Sequence, residues 1–284
     1  MRKYYLVNDI GVIYDLQQSS IVFLGGLSGL GFAQSVTYQN QKDGFFSITK
    51  TTPMQKPLNG TVHFLTDFYN KAREFIDFII NSDGLTLIYQ PLETEYRIDV
   101  DCNVFDHNGI TGGTLPISLS MTAKTPWYKA VPILIEFEPI PTENAKIYTY
   151  VYPYNYRASS DDNSVVVSPS GHFPAELTFE SPGPLLNFAI QAKTSDGELI
   201  GRMEIEGCDI LLGQTLHYST RAKDSGVWRI LADGTKEELI NYINLANTNF
   251  FEITPNENTT ISISSTGTQP DTATLKIYEY YKAV

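Results

Sequence analysis

One stretch of helical periodicity interrupts a chain that otherwise reads as short β-strands. Apolar side chains recur at spacings of three and four between residues 65 and 80, with charged and amide side chains between them. This spacing predicts a helix over about residues 66–80, with Thr66 capping its start and residues 81–84 (Asn-Ser-Asp-Gly) ending it. Because its apolar stripe covers one side only, we expect the helix to pack against a sheet.

The remaining sequence is dominated by β-branched and aromatic residues separated by Gly, Asn, Asp and Pro. Predicted strands are 4–7, 11–16, 21–24, 45–49, 85–89, 96–100, 117–121, 165–167, 175–180, 186–192, 199–206, 209–212, 216–220, 250–253, 260–264 and 274–281. A second, shorter helix is predicted at 235–246, where Thr235 and Glu238 have the capping-box spacing. The pattern predicts a mainly β (α+β) fold.

Four prolines within residues 125–144 separate the half that bears the helix from a half that is nearly all strand. We therefore expect a domain boundary near Ala130. Residues 1–130 are predicted to form a β-sheet domain with the helix. Residues 131–284 are predicted to form a β-sandwich or jelly roll, whose last strand is able to return to the first domain.

The charge balance and the termini exclude several classes of protein. The formal net charge is −12, from 32 acidic and 20 basic residues, which disfavours binding to a phosphate backbone. Cys102 and Cys208 are far apart in sequence and fit neither a disulfide framework nor a zinc site, so a reducing compartment of synthesis is expected. Residues 1–9 do not read as a signal peptide, and no stretch approaches the ~20 apolar residues of a membrane span.

A glycine cluster, GGLSGLG at residues 25–31, follows an apolar strand and raises the question of a phosphate loop. Its spacing is neither that of the dinucleotide fingerprint nor that of the P-loop, and residues 32–40 read as extended. Ser28 also fails as a nucleophile elbow, since Leu30 stands where that turn needs glycine. The cluster therefore predicts a loop or a β-bulge.

Acidic and amide side chains gather in one β-rich segment. The group consists of Asp99, Asp101, Asn103, Asp106 and Asn108. A hard-cation site is conceivable there, but the EF-hand spacing is not satisfied, and a solvated strand face leading into a turn is favoured. No two acids are singled out as a glycosidase pair, and the four histidines are dispersed. The sequence predicts no catalytic residue, no metal ligand and no cofactor.

Five tyrosines alternate along residues 148–156, so an extended strand would project all of them to one side. Such a row could contact a sugar or a protein, but packing on the sandwich is favoured for most of its members. Trp127 and Trp228 are likewise expected in a core or an interface.

With this order of elements the chain resembles the distal tail protein (Dit) family of siphophages that infect Gram-positive bacteria. The resemblance runs from GGLSGLGFAQSVTYQNQKDGFFSI through LNGTVHF, DFYNKAREFIDFII and LTLIYQ to TAKTPWYKA, whose Trp127-Tyr128 pair is the most family-like feature. The second half is similar to the family's galectin-like domain, including INLANTNFFEITPNENTTISIS and the C-terminal LKIYEYYKAV.

This resemblance implies a structural virion protein at the phage tail tip, made in the bacterial cytoplasm, and not an enzyme. Family members form a hexameric ring whose N-terminal domains surround a channel and whose galectin-like domains project outward. The ring joins the tail tube protein to a tail-associated lysin-like tip protein and carries receptor-binding or baseplate proteins. DNA passes through the channel without specific binding. The resemblance implies no cofactor and no membrane insertion, and leaves open whether two rings stack.

Ring closure requires surfaces on the first domain that pair between neighbouring subunits. Exposed strand edges are candidates, and residues 25–40, too polar and glycine-rich for a core, predict a loop or arm that reaches a neighbour.

Three alternatives remain open from the sequence. The first is a lectin-like tail protein that binds host glycan, for which a His-Asn-Arg-Trp set could be drawn only from His217, Asn241, Arg229 and Trp228. The second is a tail glycoside hydrolase. The third is another tail-tube or baseplate component.

Overall fold

The structure, a computed structural model, describes residues 2–18, 22–31, 33–41, 45–54, 56–107, 109–137, 162–266 and 270–284. The chain divides into two compact units. Unit 1 consists of Met1–Lys129 together with Tyr280–Val284, and unit 2 of Ala130–Glu279. Each unit has its own apolar core. Strands dominate both units, so the mainly β fold class predicted from the sequence is confirmed.

Unit 1 is a β-sheet domain with one helix. Its strands are β1 Lys3–Asn8, β2 Ile13–Asp15, β3 Val22–Ser28, β4 Gln34–Asn40, β5 Phe46–Pro53, β6 Pro57–Phe64, β7 Leu85–Gln90, β8 Tyr96–His107, β9 Leu115–Ala123 and the beginning of β10 Trp127–Glu136. One antiparallel sheet has the order β2-β1-β7-β8-β9-β6-β3, while β4 and β5 pair only with each other among the described strands.

Helix α1 spans Phe68–Ile80, so the predicted helix is confirmed, although it begins two residues later than expected. Asp67 occupies the N-cap with φ 46° and ψ 46° and makes no side-chain cap bond to the backbone. Thr66 therefore lies outside the helix, and its predicted capping role is wrong. The helix buries three apolar side chains in the core of unit 1: Ala72, Phe75 and Ile79. Among the described residues, no helix has the length and apolar content needed to cross a bilayer.

Unit 2 is a two-sheet sandwich. Its strands are the rest of β10 and β11 Asp162–Val167, β12 Phe173–Pro182, β13 Leu186–Thr194, β14 Leu199–Glu204, β15 Thr215–Ser219, β16 Gly226–Ile230, β17 Lys236–Glu238, β18 Thr259–Thr266 and most of β19 Thr272–Tyr281. One sheet has the order β17-β16-β15-β12-β19-β10 and the other β11-β18-β13-β14. Phe179 of the first sheet stacks on Phe188 of the second, with ring centroids 5.3 Å apart, so the core lies between the sheets. Of the predicted strands, 209–212 and 250–253 form only single bridges, at Ile210 and Ile253.

The helix predicted at residues 235–246 is wrong. The segment forms β17, which pairs antiparallel with β16, and then a 3₁₀ turn, Ile240–Tyr242. Leu239 lies between them and is fully buried. Ile243, after the turn, is buried as well, whereas Ile240, Tyr242 and Leu245 are exposed. The apolar side chains of this segment therefore do not form the single stripe of an amphipathic helix.

The C-terminus of the chain lies in unit 1. The ring of Tyr281 meets that of Tyr96 edge-on, with centroids 5.5 Å apart. The ring centroids of Tyr280 and Tyr128 are 5.9 Å apart. These aromatic contacts hold the last residues to the strands of unit 1.

Candidate assembly surfaces

Strands β4 and β5 form a two-stranded ribbon that stands apart from the core of unit 1. They pair antiparallel, with a register shift between Thr37 and Tyr38, and no other described strand joins them. None of the described side chains of these strands belongs to the core of unit 1. We call β4 and β5 together the ribbon. It includes the extended segment that was predicted to follow the glycine cluster.

The ribbon has one apolar and one polar face. Directly paired residues share a face, so Tyr38 and Ile48 lie together, with Phe46 two positions along the strand. These three side chains are 58%, 62% and 69% exposed. The opposite face carries polar side chains: Ser35, Thr37, Gln39, Ser47 and Lys50. Since an isolated two-stranded hairpin is at best marginally stable, an apolar face left uncovered by the described residues is a candidate contact surface.

Gly29 holds the backbone at the root of the ribbon in a conformation that only glycine tolerates. Its φ is +90°, and a Cβ there would lie 2.2 Å from the carbonyl oxygen of Pro57. The base of the ribbon is closed by the N–H of Met54, which donates to the carbonyl of Ala33 at 3.0 Å. Position 29 therefore requires glycine, and residues 33 and 54 are joined at the base of the ribbon.

Lys56 joins the root of the ribbon to the core of unit 1. Its ammonium donates to the carbonyl of Gly31. It also lies 5.7 Å from the ring centroid of Trp127, which is fully buried in the core as predicted. Burial lowers the pKa of the Lys56 amine. Lys56 therefore contacts both the loop at Gly31 and the first residue of β10.

The glycine cluster forms a bulge and not a phosphate loop. The register between β3 and β6 shifts between Gly25 and Ser28, which confirms the predicted bulge. The next element is β4, so no helix N-terminus follows that could hold a pyrophosphate. A cavity of about 320 Å³ beside the bulge has an uncharged lining: Gly26, Ser28, Asn59, Gly60, Thr61, Ser118, Leu119 and Ser120.

The acidic segment of β8 is engaged with other protein groups. Asp99 is buried, and its Oδ1 accepts hydrogen bonds from Thr86 Oγ1 and Tyr128 OH, both at 2.9 Å. Asp101 forms an ion pair with Lys124 at 3.1 Å. In the part of the chain that the structure describes, no three His, Cys, Asp or Glu side chains are placed to hold a metal ion.

Two of the sequence features lie outside the described residues, namely Asn108 and the five tyrosines of residues 148–156. The expectations for them stay predictions. Cys102 and Cys208 lie in different units and form no disulfide, and the Cys102 thiol donates to the carbonyl of Ser120 at 3.8 Å.

His217 and Trp228 are brought together, but the rest of the lectin set does not join them. The two rings are parallel within 2°, with centroids 5.5 Å apart, on the neighbouring strands β15 and β16. Lys236, on β17, places its ammonium 4.4 Å from the centroid of the Trp228 ring. Because β15 and β17 flank β16, both faces of the indole are contacted by protein. Arg229 lies on the other face of the strand, and Asn241 in the 3₁₀ turn.

His217 lies among charged groups of both signs, with Lys236, Lys276 and Glu180 close enough to shift its pKa. Burial lowers the pKa of His217, while the carboxylate of Glu180, 3.9 Å from Nδ1, acts in the opposite direction. The net effect is a pKa of His217 below its usual value.

The acidic excess of the chain belongs almost entirely to unit 2. Residues 130–279 contain 20 acidic and nine basic side chains, a net charge of −11, whereas the residues of unit 1 contain 12 and 11, a net charge of −1. Two copies of unit 1 can therefore approach each other without strong repulsion, whereas unit 2 repels its own copies and attracts basic surfaces.

Comparison with known proteins gives one family and a shared fold. Residues 3–124 match the family model described as distal tail protein, N-terminal domain. A chain of the phage P2 baseplate in its activated conformation with Ca is 14% identical, with a TM-score of 0.70 and all of both chains covered. The Dit protein of phage SPP1, described as a paradigm of hub adsorption apparatus in Gram-positive-infecting phages, is 11% identical, with a TM-score of 0.58 and 97% of this chain and 98% of that chain covered. No curated protein matches.

Proposed function

We propose, for a chain whose residues 3–124 belong to the distal tail protein N-terminal domain family, that it is the structural hub at the tail tip of a phage. Six copies close into a ring through unit 1, around a channel through which DNA passes without specific binding. The ring joins the tail tube protein to a tail-associated lysin-like tip protein. Unit 2 serves as the galectin-like domain, faces outward and carries receptor-binding or baseplate proteins.

In this proposal the protein acts by its geometry and transforms no substrate. It is made in the cytoplasm of the bacterial host and is then built into the virion tail. No cofactor takes part in its action.

The main support for the proposal is the apolar face of the ribbon, which no described residue covers. A ring needs a heterologous contact, in which one surface of each copy meets a different surface of the next. An amphipathic ribbon that leaves its own core supplies one half of such a contact, because its apolar face is stabilised only when another surface covers it. The near-neutral charge of unit 1 lets copies meet there.

Only part of the arm predicted at residues 25–40 lies outside the sheet of unit 1. Strand β3 runs to Ser28 and pairs with β6, and Leu27 and Leu30 pack against the core of unit 1. Deleting residues 25–40 would therefore damage the domain itself. The segment to remove is 34–53, whose flanking residues Ala33 and Met54 are already joined by a backbone hydrogen bond.

Replacement of residues 34–53 by a short Gly-Ser linker tests the proposal. We expect light scattering to give six times the 31.8 kDa of one chain for the wild type and the mass of one chain for the variant. Circular dichroism should show that the variant keeps its β-structure. A hexamer in the variant, or a wild type found only as single subunits, would contradict the proposal.

A further inference from the structure

Two neighbouring loops of unit 2 expose apolar side chains on the surface. One loop comprises residues 205–214 and the other residues 239–246. Together they present Leu211, Leu212, Ile240, Tyr242 and Leu245, of which Leu212 is 83% and Leu245 73% exposed. We call these five side chains the loop patch. Single exposed apolar residues are ordinary, but five on two adjoining loops are a candidate contact surface.

The two loops are held to each other by hydrogen bonds. The N–H of Glu206 donates to the carbonyl of Tyr242 at 2.7 Å, and Asn244 Nδ2 donates to Glu206 Oε1 at 2.6 Å. Ile205 and Ile243 form an antiparallel bridge. These contacts join residues 205 and 206 of the first loop to residues 242–244 of the second.

The two leucines lie on a turn that is fixed from within the unit. The N–H of Leu211 donates to Gln214 Oε1 at 2.9 Å, and the N–H of Gln214 donates back to the carbonyl of Leu211 at 3.0 Å. Arg229 Nη1 donates to the same Gln214 oxygen at 3.3 Å and to the carbonyl of Asp209 at 3.0 Å. Because the turn is already ordered, a partner that covers Leu211 and Leu212 loses little entropy in fixing it.

The surroundings of the loop patch are acidic. Glu206 and Asp209 lie on the first loop itself, and the guanidinium of Arg229 is occupied by Glu237, with Nε–Oε2 at 2.8 Å. Unit 2 as a whole has a net charge of −11. This charge disfavours binding of a second copy of the unit or of an anionic wall polymer to the loop patch, and it favours binding of a basic partner.

We propose that the loop patch docks a basic protein of the phage tail. An apolar pocket of that protein receives Leu211 and Leu212, and its Lys and Arg side chains face the carboxylates around the patch. The apolar contact supplies the affinity, while the opposite charges speed association and orient the partner. This proposal rests on the proposed place of the chain in a tail, but not on the ribbon.

The test is binding of the full chain to each of the other tail-tip proteins of the same phage, purified and measured by biolayer interferometry. The test variant is L211S/L212S. The control is L199S, because Leu199 begins strand β14, lies outside the loop patch and is 56% exposed, close to the 57% of Leu211. We expect one tail protein to bind the wild type and L199S equally, and the double variant at least about tenfold more weakly. Raising NaCl from about 50 mM to about 500 mM should weaken wild-type binding.

Several results would overturn the proposal. These are equal binding by the double variant and the wild type, stronger binding at high salt, and no binding of the wild type by any tail protein. Loss of the hexamer in L211S/L212S would also overturn it, since the patch would then lie between copies. The chain that lacks residues 34–53 separates the two proposals, because a monomeric variant should still bind the tail protein through the loop patch.

Discussion

At the scale of single residues, Gly29 shows how a contact with a strand distant in sequence can make glycine necessary at one position. Its φ of +90° and the Pro57 carbonyl oxygen, 2.2 Å from where a Cβ would stand, leave space only for glycine. Gly31, two residues on, has no neighbour within 4 Å of such a Cβ and no positive φ. The sequence presents the two glycines as equivalent members of one cluster. Their difference depends on β6, which is distant in sequence, and could not be predicted.

The pair Gly29→Ala and Gly31→Ala tests this reading. We expect G29A to lower the free energy of unfolding of unit 1 by about 2 kcal/mol or more, from strain at positive φ together with the steric clash. G31A should change it by less than about 0.5 kcal/mol. Urea unfolding followed by Trp127 fluorescence in a Trp228→Phe background reports on unit 1, because the chain has one tryptophan in each unit. Equal stabilities of the two variants would contradict the prediction.

At the scale of elements, the sequence predicted correctly those helices and strands that depend only on residues within the segment itself. Helix α1 was predicted because its apolar period is a property of the segment alone, but its cap was not, since Asp67 takes a left-handed conformation in place of Thr66 capping. The segment 235–246 has capping-box spacing, yet pairing with β16 makes it a strand and a turn. The sequence predicts an extended segment at residues 32–40, but whether a strand joins a sheet depends on partners that are distant in sequence. That β4 and β5 pair only with each other among the described strands could therefore not be predicted.

The two faces of the ribbon should differ in their effect on assembly. We expect F46S/I48S to shift the hexamer toward monomer, because it removes the apolar contact while leaving the antiparallel pairing in place. The control S35A/Q39A changes two residues of the polar face and should leave the mass unchanged. Sedimentation velocity at one protein concentration compares the three chains. Equal dissociation by both variants would mean that the ribbon contributes by its backbone alone and would contradict the assignment of the apolar face.

At the scale of the whole molecule, the chain separates an almost neutral unit from a strongly acidic one. The net charge of −12 is visible in the sequence, but its division into −1 and −11 emerges only once the chain is assigned to its two units. If unit 1 closes the ring, assembly brings together several copies of unit 2 that repel one another. The contact itself, by contrast, uses apolar side chains of the ribbon.

Ring assembly should therefore strengthen with ionic strength. We expect the hexamer fraction to rise between about 50 mM and about 500 mM NaCl, since salt screens repulsion among the acidic units and leaves the apolar contact in place. Mass photometry at fixed protein concentration measures that fraction. Dissociation of the ring by salt would point to ion pairs at the interface and would contradict this account.

Negative-stain imaging of the purified wild-type protein would show whether this chain closes on itself through unit 1. We expect closed rings with six-fold symmetry and an open centre, and no rings from the variant that lacks residues 34–53. Single subunits at every ionic strength, which no purified tail component recruits into larger particles, would contradict this expectation.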